Sequence, residues 1–354
     1  MNREFWRGKR VFLTGHTGFK GGWLALWLAD MGAEVYGYAL QPPTEPNFFT
    51  VANLKNRLAC STIADIRDTT ALTQAMQAAQ ADIVLHLAAQ PLVRYSYTEP
   101  VETYAVNVMG TVNLLEAVRQ TSSVKAVVNV TTDKCYENRE WVWPYRENEA
   151  MGGFDPYSSS KACSELVTAA YRRSFLDSRG ANLASARAGN VIGGGDWAAD
   201  RLVPDFLRAL DSGRTLTIRS PLATRPWQHV LEPLSGYLIL AQKLFTEGPG
   251  FAEAWNFGPE EADARPVQWI VEYLCSQTPD ASWQCDPSPQ PHEANMLKLD
   301  SSKAKAHLGW RPRWNLKNAL GMTLAWHQAW KQGADMAAIS VQQIQNYEEV
   351  ARLA

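Results

Sequence analysis

The chain has 354 residues, which is enough for one large domain or two medium ones, and its 46% apolar content is that of a globular protein. Its 34 lysines and arginines nearly balance its 36 aspartates and glutamates, which argues against binding to nucleic acid or to an anionic membrane. The N-terminus lacks the apolar stretch of a secretory signal, no apolar run nears the roughly 20 residues of a membrane helix, and the cysteines form no CxxC pair. The sequence therefore predicts a soluble, cytoplasmic protein with reduced thiols and no metal site.

The first half of the chain alternates regularly between short apolar strands and helices. Strands are predicted at residues 11–13, 34–40, 82–87, 125–130 and 182–187, and helices at residues 23–28, 71–79, 100–120 and 157–176. Such alternation builds an α/β fold with a Rossmann-like, doubly wound parallel sheet. After Gly189 the alternation stops, and glycines, prolines, tryptophans and arginines are scattered through the remaining chain.

This change predicts two domains. Residues 1–188, with a return segment near 228–258, form a dinucleotide-binding Rossmann domain. Residues 189–227 and 259–354 form a smaller, mixed substrate-binding domain, in which residues 341–354 are expected to form a surface helix.

A glycine-rich turn, Thr14-Gly-His-Thr-Gly-Phe-Lys-Gly21, connects the first strand to its helix. Glycine is needed there because the backbone must turn tightly and approach a pyrophosphate at the helix N-terminus. The cofactor-binding residues predicted in this turn are Gly15, Thr17, Gly18, Phe19, Lys20 and Gly21. The second strand ends in Tyr38-Ala-Leu40, which has neither the acid nor the arginine that would distinguish NAD from NADP.

Tyr157 and Lys161 stand four residues apart, on one face of the predicted helix 157–176. A nearby ammonium group favours the phenolate, so we expect Lys161 to lower the pKa of Tyr157 from about 10 toward working pH. A phenolate can remove the proton of an alcohol that loses hydride to a nicotinamide ring. The pair and the glycine-rich turn together predict nicotinamide-dependent oxidation of an alcohol.

The turn has the form TGxxGxxG and the pair has the form YxxxK. With these motifs the chain resembles the extended short-chain dehydrogenase/reductase family over most of its length. The resemblance implies NAD as the cofactor, an adenine contact at Asp65 and Ile66, and a cofactor wall at Leu87, Ala88 and Ala89. It also implies that helices 100–120 and 157–176 pair across a subunit interface, in a homodimer or a dimer of dimers.

The segment Val130-Thr-Thr-Asp-Lys134 ends a predicted parallel strand, where open α/β sheets bind their ligands. It is similar to the segment of nucleotide-sugar 4,6-dehydratases, which implies that Thr132 orients the sugar and that Asp133 protonates the departing C6 hydroxyl. Lys134 stands where these enzymes usually carry a glutamate base. That departure, with HTGFKGGW at 16–23, GNVIGGGDW at 189–197 and RPWQHVLEP at 225–233, resembles the branch that acts on CDP-glucose in deoxysugar biosynthesis.

Two roles are open for Lys134. As a neutral amine, a form that burial or nearby positive charge would favour, it would remove the C5 proton of the sugar. As an ammonium group it would stabilise the enolate, while another group or water acts as the base.

Four further residues are candidates for binding the nucleotide sugar. The resemblance assigns substrate contacts to Asn190, in a segment of the form RxxNxxG, and to Arg225, on the diphosphate. Arg201 and Arg219 are additional candidates, with a plain surface charge as the alternative. Guanidinium groups suit a diphosphate because they donate hydrogen bonds in a planar fork.

Other functions are compatible with the same fold. They are a dTDP-glucose or GDP-mannose dehydratase, a sugar-nucleotide epimerase, and a nucleotide-sensing protein without catalysis. Asp133 argues for elimination over epimerisation, and the set of Thr132, Tyr157 and Lys161 argues against a sensor, which needs no proton acceptor.

Overall fold

The computed structural model describes residues 2–286, 288 and 296–353. Its strands are β1 (Arg10–Thr14), β2 (Glu34–Ala39), β3 (Cys60–Ile63), β4 (Ile83–His86), β5 (Ala126–Val130), β6 (Asn182–Ala188), β7 (Val191–Ile192), β8 (Leu216–Ile218), β9 (Thr224–Pro226), β10 (Gln228–His229), β11 (Ala254–Phe257), β12 (Ala264–Pro266) and β13 (Trp283–Cys285). Its helices are α1 (Arg3–Trp6), α2 (Phe19–Asp30), α3 (Phe48–Val51), α4 (Thr69–Ala79), α5 (Val93–Thr98), α6 (Pro100–Tyr104), α7 (Gly110–Arg119), α8 (Pro156–Tyr171), α9 (Leu202–Asp211), α10 (Leu231–Glu247), α11 (Val267–Gln277), α12 (Leu316–Lys331) and α13 (Met336–Leu353). None of these helices is long and apolar enough to span a lipid bilayer.

Seven of the strands form one parallel sheet in the order β11-β6-β5-β4-β1-β2-β3. Thr14, the last residue of β1, lies opposite Tyr38 of β2 and His86 of β4. Because the strands run in one direction, their carboxyl ends meet at one edge, where ligands of such sheets bind. The predicted fold class, a Rossmann-like doubly wound parallel sheet, is confirmed.

Helices cover both faces of this sheet. α2, α10 and α13 contribute to a core on one face that includes Trp23, Trp27 and Tyr237, all fully buried. α4 and α7 contribute to the core on the other face, with Leu72 and Leu114. Strands covered on both faces have continuous apolar sequences, which is why β4 and β5 could be predicted.

Beyond β6 most strands are short and paired, β7 with β10, β8 with β13 and β9 with β12. They and the helices α9, α11 and α12 surround a third core, which includes Phe206, Ile270 and Leu320. Inside the predicted return segment 228–258, β11 pairs with β6 and α10 packs on β5 and β6 of the large sheet. We propose two domains at the predicted bounds, although α13, inside the predicted substrate domain, packs with α2 in the core of the large sheet.

Several elements differ from the prediction, among them β3 and two helices. β3 was not predicted, because this half-exposed edge strand has no continuous apolar run. The helix predicted over 100–120 is interrupted by a π-helical turn at Ala105–Met109, between α6 and α7. The prediction of a surface helix over 341–354 is wrong in two respects. α13 begins earlier, at Met336, and it buries Tyr347 completely because it packs against α2. Ala354 lies outside the described residues.

Candidate active site

Two of the three glycines in the turn after β1 are required by the protein's own packing. Gly15 has a φ of +79°, and a Cβ atom there would lie 2.8 Å from the backbone nitrogen of Ala88. A Cβ atom on Gly21 would lie 2.0 Å from the carbonyl oxygen of Gly15. Both positions therefore exclude side chains, and they bring α2 close to the end of β1.

Gly18 is different, because a Cβ atom there would meet only the carbonyl oxygen of Gly15, at an ordinary distance of 3.5 Å. Gly18 is the N-cap of α2, and no side chain accepts a hydrogen bond at this cap. The protein's own atoms thus leave room beside the positive end of the helix dipole. The arrangement fits the pyrophosphate of a dinucleotide, with Gly18 as the position where the ligand approaches the backbone.

The predicted cofactor wall borders this turn. The Thr14 hydroxyl oxygen accepts hydrogen bonds of 3.1 Å from the backbone nitrogens of both Leu87 and Ala88, which fixes the end of β4 against β1. Ala89 follows in the same half-buried stretch. The structure therefore places the wall directly beside the glycine-rich turn.

The other predicted cofactor contacts also lie near the carboxyl edge of the sheet. Thr17 donates a hydrogen bond of 2.9 Å to the carbonyl oxygen of Leu40. Asp65 and Ile66 follow β3, where the side-chain hydrogen bond from Arg67 holds the pKa of Asp65 below its usual value. Ile66 is buried against Gly110 of α7.

Tyr157 and Lys161 lie on the first turns of α8, and both are buried. The helix is capped by Asp155, whose Oδ1 accepts a 2.9 Å hydrogen bond from the backbone nitrogen of Ser158. Lys161 Nζ donates to the carbonyl oxygen of Val130, at 3.1 Å. The ammonium group of Lys161 is thereby anchored to the end of β5.

The expected lowering of the Tyr157 pKa by Lys161 is wrong for this structure. Burial raises the pKa of Tyr157 to about 12, and the opposing influences are a hydrogen bond with Thr132 and the positive charge of Arg201. Burial likewise lowers the pKa of Lys161 to about 8, against the charge of Glu165. Spacing along the helix brought the two residues together, but their environment decides their protonation.

Thr132, Asp133 and Lys134 form a short turn at the end of β5. The Thr132 hydroxyl donates to Asp133 Oδ1 at 3.0 Å. Lys134 Nζ lies 3.3 Å from Asp133 Oδ1. It also lies 3.3 Å from Oδ1 of Asn190, a residue that follows β6. Asp133 is fully buried, and its Oδ2 has no hydrogen-bond partner among the described residues. A buried carboxylate oxygen without a partner is costly, and a substrate hydroxyl could supply the missing hydrogen bond.

A cavity of about 920 Å³ connects these residues. Its lining includes predicted residues of the turn, of the catalytic set and of the substrate set: Phe19, Lys20, Thr132, Lys134, Tyr157, Asn190, Arg201, Arg219 and Arg225. The volume is in the range of ligand sites in proteins. The structure therefore brings all four predicted substrate residues and three of the five predicted catalytic residues to one cavity, whereas Asp133, Lys161 and most of the predicted cofactor contacts are not part of its lining.

The predicted arginines are held in different ways. Arg201 pairs with Asp196 at 2.8 Å, and Arg219 pairs with Asp200 at 2.8 Å. Arg225 lies buried on β9 and donates to the carbonyl oxygen of Thr224 at 3.1 Å. Arg201 and Arg219 thus already have carboxylate partners.

Lys20 adds a further positive charge to this site. Burial and the charges of Arg201 and Lys161 lower the pKa of Lys20 to about 7, and its Nζ lies 5.9 Å from the ring centre of Tyr237. A cavity surrounded by several cations favours an anionic ligand.

Sequence reasoning missed two buried polar groups behind the site. Asn107, in the π-helical turn, accepts a 2.9 Å hydrogen bond from the backbone nitrogen of Gln90 and donates one to the Ser160 hydroxyl, at 2.9 Å. Glu165 is paired with Arg187 at 2.9 Å, and both are buried. Arg187 begins the RxxNxxG segment, but no short motif predicts which residues either group contacts, because the partners come from separate elements. Glu165 lies one helical turn after Lys161, and this spacing was the one sequence pattern that indicated a place near the site.

The fold and this cavity define a Rossmann-type protein built to bind a dinucleotide next to a second, anionic ligand. A family model described as GDP-mannose 4,6 dehydratase matches residues 12–323, and the chain belongs to this family of nucleotide-sugar dehydratases. Over 353 residues it is 56% identical to the CDP-glucose 4,6-dehydratase of Salmonella typhimurium, a match that covers 98% of each chain.

Solved structures share the fold at lower identity. An epimerase from Methanothermobacter thermautotrophicus superposes with a TM-score of 0.80 and 22% identity, over 93% of this chain and 95% of that chain. A dTDP-glucose 4,6-dehydratase from Bacillus anthracis, in complex with NAD, gives a TM-score of 0.75 and 19% identity, over 92% and 99% of the two chains.

Proposed function

We propose that this chain converts CDP-glucose to CDP-4-keto-6-deoxyglucose and water, with NAD as its cofactor. The observation that carries the proposal is the buried carboxylate of Asp133, which lies beside Thr132 and Lys134 next to the cavity that Tyr157 also lines. An epimerase has no leaving hydroxyl for such an acid to protonate. The 56% identity to the Salmonella enzyme supports CDP-glucose over dTDP-glucose and GDP-mannose as the substrate.

NAD, when bound, would accept hydride from C4 of the sugar and return it to C6. The open backbone at Gly18 and the N-terminus of α2 would hold its pyrophosphate. Leu87, Ala88 and Ala89 would lie against it, and Asp65 with Ile66 would contact its adenine end. These assignments follow the order in which the segments lie along the carboxyl edge of the sheet.

In the first stage, Tyr157 removes the proton of the C4 hydroxyl. Burial opposes the phenolate, whereas the Thr132 hydrogen bond and the charge of Arg201 favour it. Lys161, held on the carbonyl oxygen of Val130, fixes a positive charge one helical turn further along α8. The residues of the chain thus position the base, and the oxidised C4 makes the C5 hydrogen acidic.

In the second stage, we assign the removal of the C5 proton to Lys134 and the protonation of the C6 hydroxyl to Asp133. The 3.3 Å contact between Lys134 Nζ and Asp133 Oδ1 places an amine and a carboxyl group side by side. In the form with a neutral amine and a protonated carboxyl, Lys134 takes the C5 proton while Asp133 gives its proton to the C6 hydroxyl, which leaves as water. The competing assignment keeps Lys134 as an ammonium group that stabilises the enolate.

Asn190, Arg201, Arg219 and Arg225 would hold the nucleotide sugar. All four line the cavity on the side formed by the segments after β6. Three guanidinium groups offer planar donor pairs to a diphosphate. Asn190 is already in contact with Lys134, so it would connect substrate binding with the elimination residues.

We also propose a homodimer or a dimer of dimers as the working assembly. Exposed apolar side chains cluster on α6 to α8 and on the turn between α6 and α7, with Val101 83% exposed, Leu166 60% exposed and Met109 51% exposed. α6 and the turn between α6 and α7 both pack on α8, and exposed apolar side chains on such neighbouring elements are typical of a subunit interface. We place the protein in the cytoplasm, in deoxysugar synthesis for the O-antigen of lipopolysaccharide.

The function is tested by incubating the protein with CDP-glucose, dTDP-glucose or GDP-mannose, each with NAD or NADP. We expect the alkaline absorbance of a 4-keto product with CDP-glucose and NAD. A product from one of the other sugar nucleotides instead, or no product at all, would overturn the proposal.

The Tyr157→Phe variant should lose at least about 100-fold in rate, because it lacks the group that accepts the C4 proton. Tyr171→Phe is the matched control, since Tyr171 lies on the same helix but donates to Glu116 outside the cavity. An unimpaired Tyr157→Phe variant would contradict the assignment.

A further inference from the structure

A buried ion pair between α8 and β6 lies behind the short turn of Thr132, Asp133 and Lys134, which we call the elimination turn. Arg187 donates two hydrogen bonds to Glu165, of 3.0 Å from Nε to Oε1 and of 2.9 Å from Nη2 to Oε2. The two side chains are only 4% and 5% exposed. Although burial acts to raise it, the charge of Arg187 and the hydrogen bonds hold the pKa of Glu165 below its usual value. Both groups are therefore charged at neutral pH.

This ion pair holds the elimination turn at both of its ends. Thr131, directly before the turn, donates a hydrogen bond of 2.5 Å from its hydroxyl to Glu165 Oε1. Tyr136, two residues after the turn, accepts a hydrogen bond of 2.7 Å at its hydroxyl oxygen from Arg187 Nη1. The guanidinium carbon of Arg187 also lies 5.0 Å from the centre of the Tyr136 ring. One member of the pair thus fixes the entry to the turn, and the other member fixes its exit.

Other contacts support the same two ends. The backbone nitrogen of Thr131 donates to the carbonyl oxygen of Ala186 at 2.9 Å, and the Tyr136 hydroxyl donates to Asn256 Oδ1 at 2.7 Å. The guanidinium group of the pair donates a further hydrogen bond of 3.0 Å to the carbonyl oxygen of Glu147. These contacts hold one end each, whereas the ion pair connects both ends through a single buried unit.

The helix that carries Glu165 also carries the residues assigned to the oxidation. Lys161, one helical turn before Glu165, donates to the carbonyl oxygen of Val130, the residue before Thr131. Tyr157 lies one further turn before Lys161. Successive turns of α8 therefore hold successive residues at the end of β5. The elimination turn is thereby placed relative to Tyr157.

We propose that Glu165 and Arg187 are positioning residues for the elimination step, because they align Asp133 and Lys134 with Tyr157. This inference rests on the proposed function, since it needs a reaction in which oxidation at C4 is followed by elimination across C5 and C6. Neither member of the ion pair lines the cavity, so both act through the ends of the turn. The groups must reach adjacent carbons of one sugar, and a displacement of about 1 Å can cost a catalytic step about 100-fold.

The test removes one support of the turn and leaves the ion pair intact. Thr131→Val keeps the shape of the side chain but loses the hydrogen bond to Glu165. We expect product formation from CDP-glucose to fall about tenfold, while the reduction of NAD in the first turnover stays within about twofold of the parent. Reduced cofactor should then accumulate during turnover, and its absorbance measures the effect. The affinity for CDP, measured by calorimetry, should match that of the parent.

Ser185→Ala is the matched control. Ser185 is also buried and donates to the other oxygen of Glu165 at 2.6 Å, but it lies within β6 and does not adjoin the turn. This variant should lose a similar amount of stability in thermal unfolding and keep the parent's ratio of elimination to oxidation. If Thr131→Val shows the ratio of the parent, or if Ser185→Ala changes the ratio as much as Thr131→Val, the ion pair only stabilises the fold and the inference is refuted.

Tyr136→Phe tests the other end of the turn, and it provides the answer if Thr131→Val does not fold. It removes the hydroxyl that Arg187 holds, so it should lower the same ratio. Tyr145→Phe is its control, because the Tyr145 ring stacks on that of Tyr136 at 5.2 Å but its hydroxyl donates to Asn138. An unchanged ratio in Tyr136→Phe would refute the role of Arg187.

Failure of the inference can be separated from failure of the proposed function. A parent that forms the 4-keto-6-deoxy product, with the same ratio in Thr131→Val and Ser185→Ala, overturns the inference alone. If the parent acts on dTDP-glucose or GDP-mannose instead, the proposed substrate is wrong. The comparison is then made with that sugar nucleotide, because the elimination does not depend on the base. A parent that forms no such product from any of the three overturns both.

Discussion

At the scale of single residues, the contact between Asp133 and Lys134 decides how the elimination proceeds. We predict that Lys134→Met abolishes the incorporation of solvent deuterium at C5 of the product, because no amine is left to take and return that proton. Turnover should fall at least about 100-fold, while oxidation at C4 is retained. The measurements are mass spectrometry of the product formed in D₂O and the absorbance of reduced cofactor.

Lys305→Met is a suitable control for this variant, since Lys305 forms an exposed 2.8 Å pair with Glu260. A Lys134→Met variant that still exchanges C5 with solvent but eliminates slowly would support the role of enolate stabiliser. Normal turnover would remove Lys134 from the mechanism.

Single residues also show which features of the site could not be predicted from the sequence. Helical spacing was sufficient to place Tyr157 and Lys161 on one face, because a distance of four residues fixes their relation. It could not predict that Lys161 would donate to the carbonyl oxygen of Val130 or that burial would raise the pKa of Tyr157. Those facts depend on β5 and on the cavity, which no local pattern describes. Arg94 and Asp200 were missed for the same reason, since they meet the predicted Arg219 only through the fold.

At the scale of elements, the turn between β1 and α2 allows a test that separates ligand binding from folding. Gly18→Ala should leave the melting temperature nearly unchanged but weaken NAD binding at least tenfold, because its Cβ occupies the space for the pyrophosphate. Gly21→Ala should instead destabilise the protein by about 1–3 kcal/mol, since its Cβ would collide with the backbone of Gly15. Calorimetric titration and thermal unfolding of both variants give the comparison. Equal NAD affinity in Gly18→Ala and the parent would contradict the assignment of this glycine.

Elements buried on two faces were the ones that the sequence predicted well. β4 and β5 have continuous apolar runs, and the apolar run at 23–28 predicted the interior of α2, which begins four residues earlier, at Phe19. β3 could not be predicted from hydrophobicity because an edge strand is half exposed. The π-helical turn that places Asn107 was also invisible, since one extra residue in a helical turn hardly changes the apolar period.

At the scale of the whole molecule, Glu232 provides a test of stability against pH. This buried glutamate of α10 accepts hydrogen bonds from the backbone nitrogens of Arg313 and Trp314 and from the Tyr347 hydroxyl, and burial raises its pKa to about 7. Its favourable contribution is complete below its ordinary pKa of 4.5 and is lost as pH rises through about 7. Glu232→Gln should therefore gain on the order of 2 kcal/mol relative to the parent between about pH 5 and about pH 8.

Urea unfolding at the two pH values measures this difference. The exposed Glu4→Gln variant is the control, and its stability relative to the parent should not change with pH. The same offset for Glu232→Gln at both pH values would show that Glu232 stays ionised when buried.

The proposed assembly makes a second prediction at this scale. Replacing both Val101 and Leu166 by lysine would place charge in the proposed apolar subunit interface. The double variant should therefore have the mass of one chain by light scattering. Leu222→Lys, at a leucine 80% exposed outside α6 to α8, should keep the mass of the parent. An unchanged mass in the double variant would place the interface elsewhere.

The packing of α13 on α2 has a consequence for the order in which the protein matures. Trp27 donates a 2.8 Å hydrogen bond to Glu348, and its ring meets that of Tyr347 edge to face at 5.8 Å. The inner face of α2, at whose N-terminus we propose that the pyrophosphate binds, is therefore covered by residues that the ribosome adds some three hundred positions later. We therefore expect a nascent chain to retain a dinucleotide only after α13 has emerged from the exit tunnel.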